Sequence, residues 1–177
     1  MTDYFEWGNK AGRFCDFSED RLYRYALAII WEPSIPPQMF IGLNPSTADE
    51  RRDDPTIRRC IGFAKAWGCG GLVMANACAY RSTDPAAMLN FSGDKVGPKN
   101  TVRYLERIAA LCAGRPIAAW GTKARLVSVT GGNREDELRV LMGPLDCLRK
   151  TKEGCPEHPL YLPKSLKPIP WNYTEAR

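Results

Sequence analysis

The sequence predicts an α/β fold in which helices cover both faces of a central, mostly parallel β-sheet. Short apolar segments of strand length alternate along the chain with segments whose apolar residues recur at helical spacing. Several apolar segments are continuous, as expected for strands that are buried on both faces, and end in a polar residue. Ligands of such sheets bind beyond the carboxyl ends of the strands, so the strand ends hold the candidate functional residues.

The first two predicted strands cover residues 23–31 and 38–43, which are rich in aromatic and branched side chains. The proline-containing segment 32–37 separates them. One interpretation of this arrangement is a hairpin, in which the two strands are neighbours in the sheet.

A helix is predicted over residues 55–67, followed by a buried strand over residues 72–76. Asp54 supplies an N-cap, and Pro55 is a proline at the first helical position. A glycine-rich segment ends the helix, and the strand after it ends at the polar residue Asn76.

The second half of the chain continues the alternation of helices and strands. Asn133 supplies the N-cap of the last predicted helix, and a glycine follows each helix. The chain after Pro156 is rich in proline and is predicted to be extended. In order, the predicted elements are a helix over residues 99–112, a strand over 116–120, a helix over 133–142 and a short apolar segment over 145–148.

Length and composition predict one globular domain. The chain has 177 residues, of which 44% are apolar and 25% are charged, and its net charge is +5. Residues 1–177 are predicted to form a single domain in which residues 163–177 are an extended, proline-rich C-terminal tail. No segment approaches the roughly 18 apolar residues of a membrane span, and the N-terminus does not resemble a secretion signal. We therefore expect a cytoplasmic monomer without a membrane partner.

The seven cysteines form an odd set without a C-x-x-C pair, and several occupy apolar positions of predicted helices or strands. Buried, reduced thiols are predicted for most of them. Cys60, Cys69 and Cys78 are evenly spaced, but iron–sulfur and zinc ligands usually include closely spaced pairs. Neither a metal site nor a cofactor is predicted.

Basic residues are concentrated in and just before the first predicted helix. A basic face beside a site favours a phosphate-bearing partner. The alternative is a solvated helix face with neighbouring acidic residues as counter-charges. The basic residues are Arg51, Arg52, Arg58, Arg59 and Lys65.

Two proline-stiffened motifs each present one polar side chain. The motif Gly-Leu-Asn-Pro-Ser at 42–46 follows the second predicted strand, and the only histidine, His158, precedes Pro159 in the second motif. Proline fixes φ and removes a backbone donor, so it holds neighbouring side chains in defined directions. Together with Asn76 and the segment 121–123, these loops are expected to converge on one cleft.

The order of these motifs resembles that of the uracil-DNA glycosylase superfamily. The order is Gly-x-Asn-Pro-Ser, an apolar strand ending in Asn, Arg-x-Thr-x-Pro, Trp-Gly and His-Pro, from about Gly42 to Pro163. The longer string GLNPSTAD…DPTIRRC…NACAYRSTDP…HPLYLP is similar to an uncharacterised domain family of bacteria and phages, which we assign to that superfamily. The resemblance implies a three-layer α/β/α sandwich and a monofunctional DNA N-glycosylase that needs no metal.

The resemblance also implies catalytic roles for Asn44 and His158. Asn44 matches the position that orients the attacking water, although an amide does not accept a proton as a carboxylate does. Departure of the base must then dominate catalysis, or an aspartate (Asp49, Asp53 or Asp54) must act as the base. His158 matches the histidine that donates to O2 of the base as negative charge develops. The alternative for Asn44 is a residue that stabilises its own turn, and the alternative for His158 is a structural histidine.

The same comparison implies how the flipped base is held. Asn76 matches the asparagine that reads the edge of the base, with a strand-end turn as the alternative. Tyr80 is predicted to stack on the base, in preference to Phe63 or Trp120, and Arg81 is predicted to contact phosphate or a substituent of the base. The predicted substrate-binding residues are Gly42, Pro45, Ser46, Asn76, Tyr80 and Arg81.

One departure from the superfamily pattern concerns the substrate. The uracil-specific enzymes have a tyrosine directly after the motif proline, where it blocks substituents at C5 of the pyrimidine, whereas this chain has Ser46. The hypothesis is that the substrate is a 5-substituted pyrimidine, such as the glucosylated 5-hydroxymethylcytosine of phage DNA, and that the enzyme acts in defence.

The residues that follow His158 match the loop that wedges into DNA in the superfamily, and such apolar wedges help to flip bases. The alternative is that they pin the tail to the core. Lys164 and Lys167 are candidates to hold phosphates. The predicted DNA-binding residues are Arg51, Arg52, Arg58, Arg59, Lys123, Leu160, Tyr161 and Lys164.

Two other classes of function stay open. The first is a nucleic-acid or nucleotide-binding module that keeps the fold without the chemistry. The second is a metal-dependent hydrolase that uses Asp49, Asp53 and Asp54. A nucleophilic dyad of Cys155 and His158 is disfavoured, because such pairs usually come from separate elements. Fold analogy alone does not decide between these classes. The expected partner is DNA, either single- or double-stranded.

Overall fold

A computed structural model of the chain describes residues 10–46 and 53–172. Seven strands of this part of the chain form one sheet, and two more form a small hairpin. The strands are β1 (Gly12–Phe17), β2 (Arg24–Ile30), β3 (Gln38–Gly42), β4 (Gly71–Asn76), β5 (Ile117–Ala118), β6 (Ser128–Val129), β7 (Gly132–Asn133), β8 (Asp146–Cys147) and β9 (Ile169–Pro170). The helices are α1 (Pro55–Ala66), α2 (Pro85–Asn90), α3 (Val102–Ala109) and α4 (Arg134–Leu141).

The central strands of the sheet are parallel. The strand order is β1-β2-β4-β3-β5-β8-β9, in which β4, β3, β5 and β8 are parallel to one another. Antiparallel strands flank them on both sides, with β1 and β2 at one edge and β9 at the other. The predicted α/β class with a mostly parallel sheet is confirmed.

The expected hairpin of the first two predicted strands is wrong, because β4 lies between β2 and β3. The segment 32–37 instead wraps around Gly70. The backbone N–H groups of Trp31 and Glu32 both donate to the carbonyl oxygen of Gly70 at 2.9 Å. A Cβ atom at Gly70 would lie 2.1 Å from the carbonyl oxygen of Ile35, so glycine permits this close approach.

Alternate side chains of the central strands form two apolar layers, one on each face of the sheet. The first layer includes side chains of α3 and α4, and the second includes side chains of α1. Helices therefore cover both faces. The first layer contains Met39, Ile41, Val73, Leu105 and Leu138, and the second contains Phe40, Ile57, Phe63 and Leu72.

The predicted N-caps of α1 and α4 are confirmed. A carboxylate oxygen of Asp54 accepts a hydrogen bond of 2.8 Å from the backbone N–H of Ile57, and the side chain of Asn133 caps α4 in the same way. The predicted helix over residues 99–112 is shorter in the structure. Thr101 caps α3, so the helix begins at Val102, three residues after Lys99.

Several elements of the structure were not predicted, among them the two-residue strands β6 and β7. β1 is a half-buried edge strand, and α2 has six residues with a single buried side chain, that of Met88. Neither produces a clear apolar pattern in the sequence. β9 belongs to the predicted extended tail, which docks on the sheet through Trp171. The backbone N–H of Trp171 donates to the carbonyl oxygen of Leu145 at 3.0 Å, and its ring is buried.

All seven cysteines carry free thiols, and five are buried, as predicted. Burial raises the pKa of Cys78 to about 12 and that of Cys147 to about 11, which keeps both thiols protonated. Among the described helices, none is long and apolar enough to cross a membrane.

Candidate functional site

A cleft of about 350 Å³ opens at the carboxyl ends of the parallel strands. Its walls come from the loops after β3, β4 and β5, from the N-terminal end of α1 and from the segment that carries His158. The structure thus brings together the four polar loops that the sequence indicates. Of the predicted site residues, Gly42, Asn44, Ser46, Asn76, Lys123 and His158 line the cleft.

The amide of Asn44 is held from one side by two backbone carbonyl groups. Its Nδ2 donates to the carbonyl oxygen of Ser82 at 2.9 Å and to that of Pro45 at 3.2 Å. The backbone N–H of Ser82 donates to the carbonyl oxygen of Pro45 at 2.9 Å, which joins the two loops. Oδ1 of Asn44 accepts no hydrogen bond from the described residues. Asn44 therefore presents an acceptor in the cleft wall.

Asn76 is buried at the end of β4 with an unsatisfied donor. Its side chain is 3% exposed and lines the cleft, and Nδ2 has no hydrogen-bond partner among residues 10–46 and 53–172. Gly42 is its register partner on β3, and a Cβ atom there would lie 2.9 Å from Oδ1 of Asn76. Gly42 thus leaves the space that the amide occupies. Buried unsatisfied donors are rare in native proteins, so this one calls for a ligand or water.

His158 is fixed by the turn that follows it. Its Nδ1 accepts a hydrogen bond of 3.4 Å from the backbone N–H of Leu160 and so caps the short 3-10 helix Pro159–Tyr161. Burial lowers the pKa of the imidazole from its ordinary value, and the nearby carboxylate of Asp54 opposes this shift to a smaller extent. His158 is nevertheless an exposed residue of the cleft, and with Nδ1 as the acceptor a neutral imidazole carries its hydrogen on Nε2.

The loop after β5 connects to the segment that carries His158. The backbone N–H of Gly121 donates to the carbonyl oxygen of Pro156 at 2.9 Å, and φ of Gly121 is +71°, a conformation that favours glycine. Lys123 follows at the start of a 3-10 helix and lines the cleft. Trp120 forms part of the wall but is otherwise buried, so it does not offer a free ring face.

The described aspartates of the predicted site are already engaged. Asp54 lines the cleft but caps α1, and Asp53 forms an ion pair with Arg13. Within the described part of the chain, no group of three or more His, Cys, Asp and Glu side chains is arranged to hold a metal ion. The predicted residues Asp49, Arg51 and Arg52 lie outside the described residues.

Tyr80 and Arg81 do not line the cleft, contrary to their predicted roles. The ring of Tyr80 stacks on Phe91 with centroids 3.9 Å apart and an interplanar angle of 5°. An antiparallel β-bridge pairs Tyr80 with Tyr23, the residue before β2. Nη1 of Arg81 donates to the carbonyl oxygen of Arg21 at 2.9 Å. Neither side chain is placed to hold a base in this cleft.

The three apolar residues after His158 have different environments. The ring of Tyr161 is 90% exposed, Leu160 is partly buried and Leu162 is fully buried in the layer that contains α1. Leu162 therefore anchors the segment to the core, as expected if these residues pin the tail and do not wedge into DNA. Tyr161 is the last residue of the short 3-10 helix that His158 caps, and its side chain is exposed at the surface.

Of the described residues that were predicted as basic contacts to DNA, only Lys123 lines the cleft. Arg58 is exposed and donates to the carbonyl oxygen of Asp53. The guanidinium of Arg59 lies 5.4 Å from the ring centroid of Phe63, which is a core residue, and Lys164 is exposed.

The sequence analysis missed Arg24, a buried residue that lines the cleft. Arg24 begins β2, and β2 is antiparallel to β4, so its first residue reaches the edge at which the parallel strands end. The feature of the sequence that could have identified Arg24 is a charged residue at the start of an otherwise apolar segment.

A family model described as "Protein of unknown function (DUF1643)" matches residues 24–160 of the chain. No curated protein and no solved structure matches the chain significantly. The matched range extends from Arg24 to Leu160, so it includes every cleft-lining residue and ends just before Tyr161.

Proposed function

The chain belongs to the DUF1643 family, and we propose that it is a monofunctional DNA glycosylase that removes a modified pyrimidine and leaves an abasic site. The observation that carries this proposal is the convergence of three neutral polar groups in one cleft of about 350 Å³. They are the acceptor of Asn44, the unsatisfied buried amide of Asn76 and the imidazole of His158. A base presents complementary donors and acceptors on its edge, and a pocket of this size accepts one.

In the proposed reaction, a flipped base enters the cleft and its polar edge pairs with Asn76. An amide offers both a donor and an acceptor, so it can pair with a pyrimidine edge. The buried Nδ2 then gains the partner that it lacks among the described residues. This gain favours binding, because an unsatisfied buried donor costs about 1–3 kcal/mol.

His158 stabilises the departing base. The bond between C1′ of the sugar and the ring nitrogen breaks, and its electron pair leaves with the base. Nε2–H of the neutral imidazole donates to an oxygen of the base on which negative charge develops. A preorganised donor of this kind contributes about 3 kcal/mol to the stabilisation of a transition state.

Asn44 directs the water that attacks C1′. Its Oδ1 accepts a hydrogen bond from the water, while the carbonyl groups of Ser82 and Pro45 hold its Nδ2. The amide does not take the proton of the water, so that proton passes to a carboxylate or to solvent after the base has departed. Asp49 is the carboxylate proposed for this step, because the carboxylate of Asp54, which also lines the cleft, is engaged as the N-cap of α1.

We propose a 5-substituted pyrimidine as the substrate, such as glucosylated 5-hydroxymethylcytosine in phage DNA. Ser46 lines the cleft at the position where the uracil-specific enzymes carry a tyrosine, so a small side chain stands where a ring would block C5. Removal of such a base would damage modified foreign DNA, and a role in defence follows from that substrate.

The surroundings of the cleft support DNA as the partner. Tyr161 is 90% exposed at the end of the short helix that His158 caps, and this exposure suits a wedge that fills the space left by a flipped base. Lys123, Arg58 and Lys164 supply positive charge for phosphate groups. The proposed fold is the three-layer sandwich of the uracil-DNA glycosylase superfamily, which the helices on both faces of the sheet support.

One observation favours a binding module as the second candidate. The described carboxylate of the cleft, that of Asp54, is engaged as the N-cap of α1, so it is a weak candidate for the base. A module without chemistry would bind DNA and release no base.

The test incubates the protein with duplex and single-stranded DNA that carries uracil, a thymine mismatch, 5-hydroxymethylcytosine or its glucosylated form. Alkaline cleavage then measures abasic sites, and a filter or fluorescence assay measures DNA binding on the same substrates. Cleavage on a modified pyrimidine supports the glycosylase. Binding without an abasic product on every substrate supports the binding module.

A further inference from the structure

A buried carboxylate behind the cleft joins two parts of its wall, the loop after β5 and the segment that carries His158. Glu135 of α4 is 2% exposed, and it accepts hydrogen bonds from Nε1 of Trp120 at 2.9 Å and from Nε of Arg125 at 2.5 Å. The thiol of Cys155 donates to Oε1 of Glu135 at 3.8 Å. Burial, and to a smaller extent Glu135, raise the pKa of Cys155, which keeps this thiol a donor. A buried carboxylate is stable only when paired and hydrogen-bonded, so Glu135 and its three partners fix one another.

Each partner belongs to a segment that contributes residues to the cleft wall. Trp120 lines the cleft itself, directly after β5. Arg125 belongs to the 3-10 helix that begins with Lys123, and Lys123 also lines the cleft. Cys155 lies three residues before His158. The two segments are held to one side chain on α4, which is not itself part of the cleft.

The tail supports the same wall by packing. The rings of Trp171 and Trp120 are perpendicular, with centroids 5.1 Å apart. Nε1 of Trp171 donates to the carbonyl oxygen of Gly154 at 2.9 Å, in the segment that leads to His158. The ring of Trp120 is thus held by packing against Trp171, and its N–H is directed by Glu135.

We propose that Glu135 is a positioning residue of the site, which sets the relative positions of Trp120, Lys123 and His158 without touching the substrate. Its effect on base excision rests on the proposed function. Its effect on the imidazole of His158 does not rest on that function, because the hydrogen bonds that Glu135 accepts exist in the protein without DNA.

The test compares Glu135→Gln with Glu106→Gln. The first variant keeps the shape of the side chain but removes its charge and one acceptor, so it does not serve both Trp120 and Arg125. The second removes the same charge from an exposed position of α3. We expect abasic-site formation to fall about tenfold to hundredfold in Glu135→Gln, as for small misplacements of catalytic groups, and to change less than about twofold in the control.

The second readout is the nuclear magnetic resonance spectrum of the imidazole. The chain has one histidine, so the imidazole signals report on His158 alone. We expect Glu135→Gln to change the titration midpoint of His158 and the chemical shift of the indole N–H of Trp120, and Glu106→Gln to change neither.

A folded Glu135→Gln variant with the wild-type titration of His158 and the wild-type Trp120 signal would overturn the positioning role. If Glu135→Gln does not fold, Arg125→Gln takes its place, because that side chain is 42% exposed and its loss removes one link of the network. Unchanged Trp120 and His158 signals in that variant would overturn the proposal equally. Absence of abasic product from the wild type would instead contradict the proposed function and leave these spectra as the test of Glu135.

Discussion

Nδ1 of His158 accepts a hydrogen bond of 3.4 Å from the backbone N–H of Leu160. A ring nitrogen that accepts does not carry the hydrogen in the neutral imidazole, so the hydrogen is on Nε2. The proline that follows His158 begins the turn that presents this N–H. The turn therefore selects the tautomer that is able to donate to a base.

Protonation of His158 is predicted to weaken the fold at acid pH. Burial lowers its folded-state pKa below the ordinary value of 6.5, so the unfolded chain binds this proton more readily than the folded chain. The contribution to the free energy of unfolding is complete above pH 6.5 and decreases as the pH falls toward and through the folded-state pKa. Protonation also places a hydrogen on Nδ1, so that Nδ1 no longer accepts the hydrogen bond from the backbone N–H of Leu160.

Urea denaturation between about pH 5 and about pH 8 measures this effect. His158→Asn is the control, because its amide oxygen is able to accept from the same N–H but does not titrate. We expect the wild type to lose more stability than the variant as the pH falls. Parallel curves would contradict the prediction.

Asn76→Ala is predicted to remove activity without a matching loss of stability. The substitution deletes a buried donor that lacks a partner among the described residues, which offsets the packing lost with the side chain. We expect the free energy of unfolding to change by less than about 1 kcal/mol, and abasic-site formation to fall at least about tenfold. Full activity of the variant on the best substrate would refute the role of Asn76.

Gly42→Ala tests whether the position of the Asn76 amide matters. The new methyl group would lie 2.9 Å from Oδ1 of Asn76, so the amide must move. Gly62→Ala on α1 is the matched control, because a Cβ atom there meets nothing within 4 Å, and alanine favours the helix by about 1 kcal/mol. We expect abasic-site formation to decrease in Gly42→Ala only. An equal rate in both variants would show that the amide is not part of the site.

Local features account for what the sequence predicts correctly. Asp54 and Asn133 each cap the helix that follows them, which depends on neighbouring residues only. The meeting of Asn44, Asn76 and His158 follows from a general property of parallel sheets, since carboxyl strand ends share one edge.

Long-range pairing accounts for the rest. The position of β4 between β2 and β3 depends on the wrap of the chain around Gly70, which no local pattern encodes. Arg24 reaches the cleft only because β2 is antiparallel to β4. Tyr80 follows Asn76 closely in sequence, but its bridge to Tyr23 and its stack on Phe91 turn it away from the cleft.

Ser46→Tyr is predicted to change the choice of substrate. A tyrosine at this cleft-lining position would occupy the space proposed for a group at C5. We expect at least about a tenfold loss of activity on a bulky 5-substituted pyrimidine, with a smaller loss on an unsubstituted one, measured as abasic sites on paired substrates. An unchanged rate on the bulky substrate would count heavily against the proposed substrate class.

The central claim is that His158 and Asn44 perform base excision. The most direct measurement is the yield of abasic sites under single-turnover conditions, by alkaline cleavage, for the wild type, His158→Ala and Asn44→Ala on the best substrate. We predict that the wild type forms abasic sites and that His158→Ala is about 100-fold to 1,000-fold slower, with Asn44→Ala also impaired. Abasic sites formed at the wild-type rate by both variants, or by none of the three proteins on any substrate, would contradict the account.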